Sequence, residues 1–72
     1  MNKPFKHSKK FKVCPKLLSA YENTPDHTYY VEEVGEESVN IWWFEDGEWK
    51  SDLGNTRDDY ESNIRMEIWI EI

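Results

Sequence analysis

One cysteine, two histidines and a surplus of acids set the limits on the chemistry this chain could perform. Cys14 would be a nucleophile only with a base, His7 or His27, within hydrogen-bond reach. No spacing in the sequence implies that contact. A free cysteine more often packs as a small hydrophobe, so Cys14 is expected in that role, with both histidines at ordinary surface positions. The same three residues lack the paired spacing of a zinc site. The acidic segment from Asp52 to Asp58 does not match the ligand spacing of a calcium loop, and Arg57 inside it would repel a cation.

Paired carboxylates, at Glu32-Glu33, Glu36-Glu37 and Asp58-Asp59, would serve acid–base catalysis only if one of each pair were desolvated. A chain of 72 residues has little volume for the concave pocket that would do this. Its three glycines make no phosphate-binding loop. The expectation is a non-catalytic protein with no cofactor, no metal site and no catalytic residue.

Binding is the remaining class, and charge divides the chain in two. Residues 1–16 hold Lys3, Lys6, Lys9, Lys10, Lys12 and Lys16 and no acid. Residues 17–72 hold all 15 acids against Lys50, Arg57 and Arg65, and the net charge is −6. Such an asymmetry implies either a basic arm that reaches a partner or one that folds back on its own acidic body. The negative body argues against direct contact with nucleic acid or anionic lipid, which carry the same sign.

Two surfaces are candidates for a partner. The acidic one draws on Glu45, Asp46, Glu48, Asp52, Asp58, Asp59, Glu61, Glu67 and Glu71, which could imitate the charge of a nucleic-acid backbone toward a basic protein groove. Solubility alone is the plainer explanation of such acids. The aromatic one draws on Trp42, Phe44, Trp49 and Trp69. Exposed aromatic clusters often anchor interfaces. The alternative is that Phe5, Phe11 and the segment Leu17–Tyr21 fold over that face and give the sheet a core on both sides.

These residues need elements to position them. Residues 1–8 read as a flexible basic arm and 9–72 as one small domain. Lys9 to Cys14 alternates, with Phe11 and Val13 on one side, as a short edge strand would. Leu17 to Glu22 allows one helical turn, and Asn23 to Asp26 a chain turn. His27 to Val34 and Ser38 to Glu45 read as strands. Asp46-Gly47 then closes a hairpin onto Glu48 to Ser51, because a type I′ turn needs positive φ at both central residues. That loop sets Glu45 opposite Glu48, Phe44 opposite Trp49 and Trp43 opposite Lys50, with the like-charged pair a local inconsistency. Leu53-Gly54-Asn55 reads as a further turn.

Thr56 to Asp59 has the form of a capping box opening a helix to about Asn63. The chain from Ile64 to Ile72 alternates as a half-buried strand, with Ile64, Met66, Ile68, Ile70 and Ile72 inward and Arg65, Glu67, Trp69 and Glu71 outward. The predicted fold is α+β and β-dominated, one antiparallel sheet of four or five strands with one short helix. No apolar run approaches the length that spans a bilayer, and a lone cysteine excludes an internal disulfide, so a cytoplasmic protein is expected.

The predicted function is docking of the acidic and aromatic face onto a larger basic protein, as an inhibitor or adaptor of the kind that phages or mobile elements direct at host factors. Two alternatives remain. Lys3, Lys6, Lys9, Lys10 and Lys12, interleaved with Phe5, His7 and Phe11, could track a nucleic acid, or the terminal strand could pair with another copy.

Overall fold

The computed structural model describes residues 3–14 and 27–72. The expected turns in Leu17–Glu22 and Asn23–Asp26 lie outside them, as does Lys16. Five strands form one antiparallel sheet: β1 (Lys9–Val13), β2 (Tyr29–Glu33), β3 (Ser38–Glu45), β4 (Glu48–Thr56) and β5 (Trp69–Glu71), with the helix α1 (Arg57–Arg65) between the last two. Their order across the sheet is β4-β3-β2-β1-β5. The α+β, β-dominated prediction is therefore met.

The β3–β4 hairpin is the anchor of this arrangement. Asp46 at φ 53 and Gly47 at φ 79 make the two positive-φ turn positions. The register follows as predicted, Glu45 opposite Glu48, Phe44 opposite Trp49 and Trp43 opposite Lys50. Further along, Val39 pairs with Asn55 but Ile41 pairs with Asp52, so Leu53 and Gly54 together face Asn40. The expected turn at Leu53-Gly54-Asn55 is thus a β-bulge inside a longer strand. Gly54 adopts φ 86 there, a conformation open to glycine at no steric cost.

One face of the sheet carries the core. Phe11, Val31, Val39 and Ile41 are buried on it and Tyr60 of α1 closes over them, with Tyr29, Trp43, Ile64 and Trp69 packed around. Capping starts the helix as the sequence foretold: the Asp59 amide donates to the Thr56 hydroxyl at 3.1 Å. The opposite face is aromatic. Phe5, from the chain before β1, stacks on Trp42 with centroids 4.8 Å apart and meets Trp49 edge-on at 5.1 Å. Tyr30 and Phe44 pack against Trp49 from either side, at 5.5 Å and 5.3 Å.

Three further expectations are corrected. β1 is an inner strand, flanked by β2 and β5, and not an edge. The alternating stretch from Ile64 to Ile72 is not one strand: α1 runs to Arg65, and only Trp69–Glu71 is extended. Its inward side is also reversed beyond Ile64, which does pack against the core. Trp69 stacks on Phe11 at 4.5 Å, while Met66, Ile70 and Ile72 are exposed.

The helix end explains the reversal. Ile68 donates to the Asn63 carbonyl and Glu67 to the Ile64 carbonyl, each at 3.0 Å, with Glu67 left-handed at φ 59. That is a Schellman stop, with Glu67 in the position usually taken by glycine. It turns the chain before β5 begins. An indole also buries more apolar surface than an isoleucine side chain, so Trp69 takes the inner position.

Candidate functional site

The hairpin register brings the two ends of the β3–β4 unit far apart, and the acids divide between them. Ser38 pairs with Thr56, which sets the β2–β3 turn beside the start of α1. Arg57 fastens the junction. Its amide donates to the Glu37 carbonyl at 2.9 Å. Its guanidinium donates to the Glu36 carbonyl at 2.7 Å, the Gly35 carbonyl at 3.2 Å and the Glu33 carboxylate at 2.6 Å. The Arg57 hydrogen bond, and then its charge, hold the Glu33 carboxyl below the ordinary glutamate range and raise Arg57 in return.

Around this clamp stand Glu36, Glu37, Asp58 and Asp59, all exposed. With Thr56 and Arg57 they line a cleft of 420 Å³. The lining cation, Arg57, has donors turned toward the turn carbonyls and Glu33, so the residues around the cleft carry four acids against one paired cation. Their position is not accidental to the helix: Asp58 and Asp59 in the first turn stabilise its N-terminus by opposing the macrodipole.

Glu45, Asp46 and Glu48 lie at the other end of the hairpin. Seven residues of extended chain place them about 23 Å from Ser38. There the Trp43 indole donates to Glu45 at 3.0 Å and lowers its pKa. His27 Nε2 lies 3.5 Å from the same oxygen, without the alignment of a hydrogen bond. Lys50 sits 3.9 Å from Glu48. Those contacts offset the like-charge pairing of Glu45 with Glu48.

Glu67 caps the far end of α1, and Glu71 accepts from the Tyr60 hydroxyl at 3.0 Å with Lys9 at 3.9 Å. Burial first, and then Glu71, push the Tyr60 hydroxyl well above its ordinary pKa. Of the aromatic candidates, Trp42, Phe44 and Trp49 are half-buried on the second face, Trp42 and Trp49 against Phe5 and Phe44 against Trp49, and Trp69 packs against the core.

The lysines are similarly dispersed. Lys3 lies over the Tyr30 ring at 4.6 Å and 3.2 Å from His7 Nδ1. Burial, with Lys3 and Lys10 nearby, lowers the His7 pKa. Lys6 and His7 line a recess with Glu32 and Glu33. Lys10 and Lys12 share the second face, opposite Tyr30 and Ile70 respectively.

No family model matches this chain, and neither a curated protein nor a solved structure is found similar to it.

The acidic cleft is half legible in the sequence. Asp58 and Asp59 are candidates there, but Glu36 and Glu37 are not. Projecting the Asp46-Gly47 register back along both strands brings residues near 37 opposite residues near 56, and that signal could have found them. Among the described residues, no group of three or more His, Cys, Asp or Glu side chains is arranged to hold a metal ion. No helix among them is long and apolar enough to cross a membrane.

Proposed function

We propose that this is a non-catalytic binding protein, an inhibitor or adaptor that presents its acidic end to a basic surface on a larger protein. One observation carries the reading: Glu36, Glu37, Asp58 and Asp59 line a cleft whose one lining cation is already engaged. A groove of this sign and size accepts a lysine or arginine side chain, and charge complementarity of this kind speeds and steers encounter. The half-buried state of Trp42 and Trp49 shifts weight from the aromatic face to the acidic one, since rings packed against Phe5 are poor anchors until the arm moves.

Affinity capture from nuclease-treated lysate of the native host, with the wild-type protein beside a Glu36→Gln/Glu37→Gln/Asp58→Asn/Asp59→Asn variant, tests the reading. It predicts one stoichiometric basic protein, retained by the wild type and lost by the variant. Equal recovery by both would remove the acidic end from the interface.

A second reading has a specific observation behind it. Lys3, Lys10 and Lys12 share the second face with Tyr30, Trp42 and Trp49, a mixture of cations and rings that suits single-stranded nucleic acid. Phe5 already occupies those rings, and the net charge opposes approach, so this reading ranks below the first.

A further inference from the structure

The two edges of the sheet differ in how they resist pairing with another chain. β4 is bent by the bulge at Leu53 and Gly54 and carries Lys50 and Asp52. Bulges and charges are the usual devices that blunt an edge strand. β5 (Trp69–Glu71), the other edge, has no bulge, proline or lysine, and its one charge, Glu71, is engaged by Tyr60 and Lys9. Among the described residues, no strand pairs with its outer side.

The bonds from β5 to β1 come from alternate residues. Cys14 donates to the Ile68 carbonyl at 2.9 Å and Ile72 to the Lys10 carbonyl at 3.1 Å. By the alternation of an antiparallel ladder, Ile70 also bonds inward, and the N–H and C=O groups of Trp69 and Glu71 point away from the sheet. On the second face beside them, Ile70 is 41% and Ile72 57% exposed.

We propose that β5 pairs antiparallel with β5 of a second copy of this chain, about a two-fold axis through Ile70. The pattern of the strand selects that register. Trp69 then stands opposite Glu71 of the second copy and exchanges both backbone bonds with it, twice over by symmetry. Ile70 meets its own counterpart in the non-hydrogen-bonded position, where side chains approach most closely. Ile72 falls opposite Ile68, so the exposed apolar residues of the edge cover one another.

The neighbouring registers are worse. Sliding one way sets Glu71 against Glu71, a destabilising like-charge pair. Sliding the other way sets Glu71 against Glu67, which is left-handed and cannot join a ladder. The contact is isologous and closes on itself, so it gives a dimer and not a fibre. It is also short, and the net charge of −6 on each copy opposes it, so the dimer is of the weak, transient class.

Sedimentation equilibrium over micromolar to millimolar concentrations tests this. The expected mass rises toward that of two chains, more readily at high salt, where like charges are screened. Ile70→Lys is expected to hold the mass at one chain. A wild-type mass that stays at one chain up to millimolar concentration overturns the proposal.

Cross-linking reads the register independently of that variant's folding. In a Cys14→Ser background, Ile70→Cys is expected to oxidise to a covalent dimer, because the paired Cα atoms would stand about 4.5 Å apart, within disulfide reach. Ile72→Cys in the same background is expected to remain a monomer. Equal cross-linking of both, or of neither, would contradict the two-fold axis through Ile70.

Discussion

Arg57 does at one position what the acidic end needs twice. It neutralises Glu33 and it holds the β2–β3 turn against the start of α1. The Glu33 carboxyl titrates below its ordinary value because of that guanidinium. A depressed carboxyl pKa stabilises the fold above the unfolded value, about 4.3 for glutamate. The contribution is lost as pH falls through that value toward the folded one. Glu33→Gln is therefore expected to flatten the acid limb of a stability-versus-pH curve while leaving its neutral-to-alkaline shape intact. Superimposable acid limbs would show that the pair does not stabilise the fold. Glu67 offers a test of opposite sign. A left-handed conformation costs an ordinary residue about 1–2 kcal/mol, partly offset by the greater freedom of glycine in the unfolded chain. Glu67→Gly should stabilise the protein by about 0.5–1 kcal/mol, seen as a higher urea midpoint at unchanged slope. A lower midpoint would mean that the Glu67 side chain makes a contact worth more than the strain.

Local signals located most elements, and failed where two signals competed. Asp46-Gly47 fixed the hairpin and its register because the positive-φ requirement admits few residues, and Ser38 to Glu45 is extended over its full predicted length. Thr56 caps α1 as its position implied, accepting from the Asp59 amide, and Thr56→Ala should cost about 1 kcal/mol, measurable as a lower thermal midpoint. The alternation from Ile64 to Ile72 misled for a physical reason. Trp69 shares its alternate positions with Arg65, Glu67 and Glu71, so the pattern sets it outside with the charges, although its ring has more apolar surface to bury than any isoleucine. The indole of Trp69 finds Phe11 and Tyr60, and the isoleucines are left at the edge. The bulge at Gly54 was hidden similarly, since glycine between polar residues reads as a turn until the partner strand is known. Phe5 was legible only as one of two possibilities, because no local rule says whether an arm docks. Its ring stack predicts that Phe5→Ala lowers stability by about 1–2 kcal/mol and alters the tryptophan fluorescence of Trp42 and Trp49. An unchanged emission spectrum would mean that the arm does not cover those rings in solution.

At the scale of the molecule, the split seen along the chain reappears in space, but not as a single acidic face. The cleft at the start of α1 and the hairpin tip lie at opposite ends of β3, and the tip acids are largely engaged by Trp43 and Lys50. Lysines of the arm and β1 lie mainly on the second face or beside Glu71. Charge spacing along a sequence could not reveal this, because it depends on which strand ends the hairpin brings together. On the proposed function, the acidic end is where the partner docks. Amide chemical shifts of the labelled protein, followed as the captured partner is added at moderate salt, read that most directly. The largest changes are expected at Glu36, Glu37 and from Arg57 to Glu61, with the second face little altered. Changes concentrated instead on Lys3 to Lys12, Tyr30 and Trp42 would contradict it and place the interface on the basic, aromatic side.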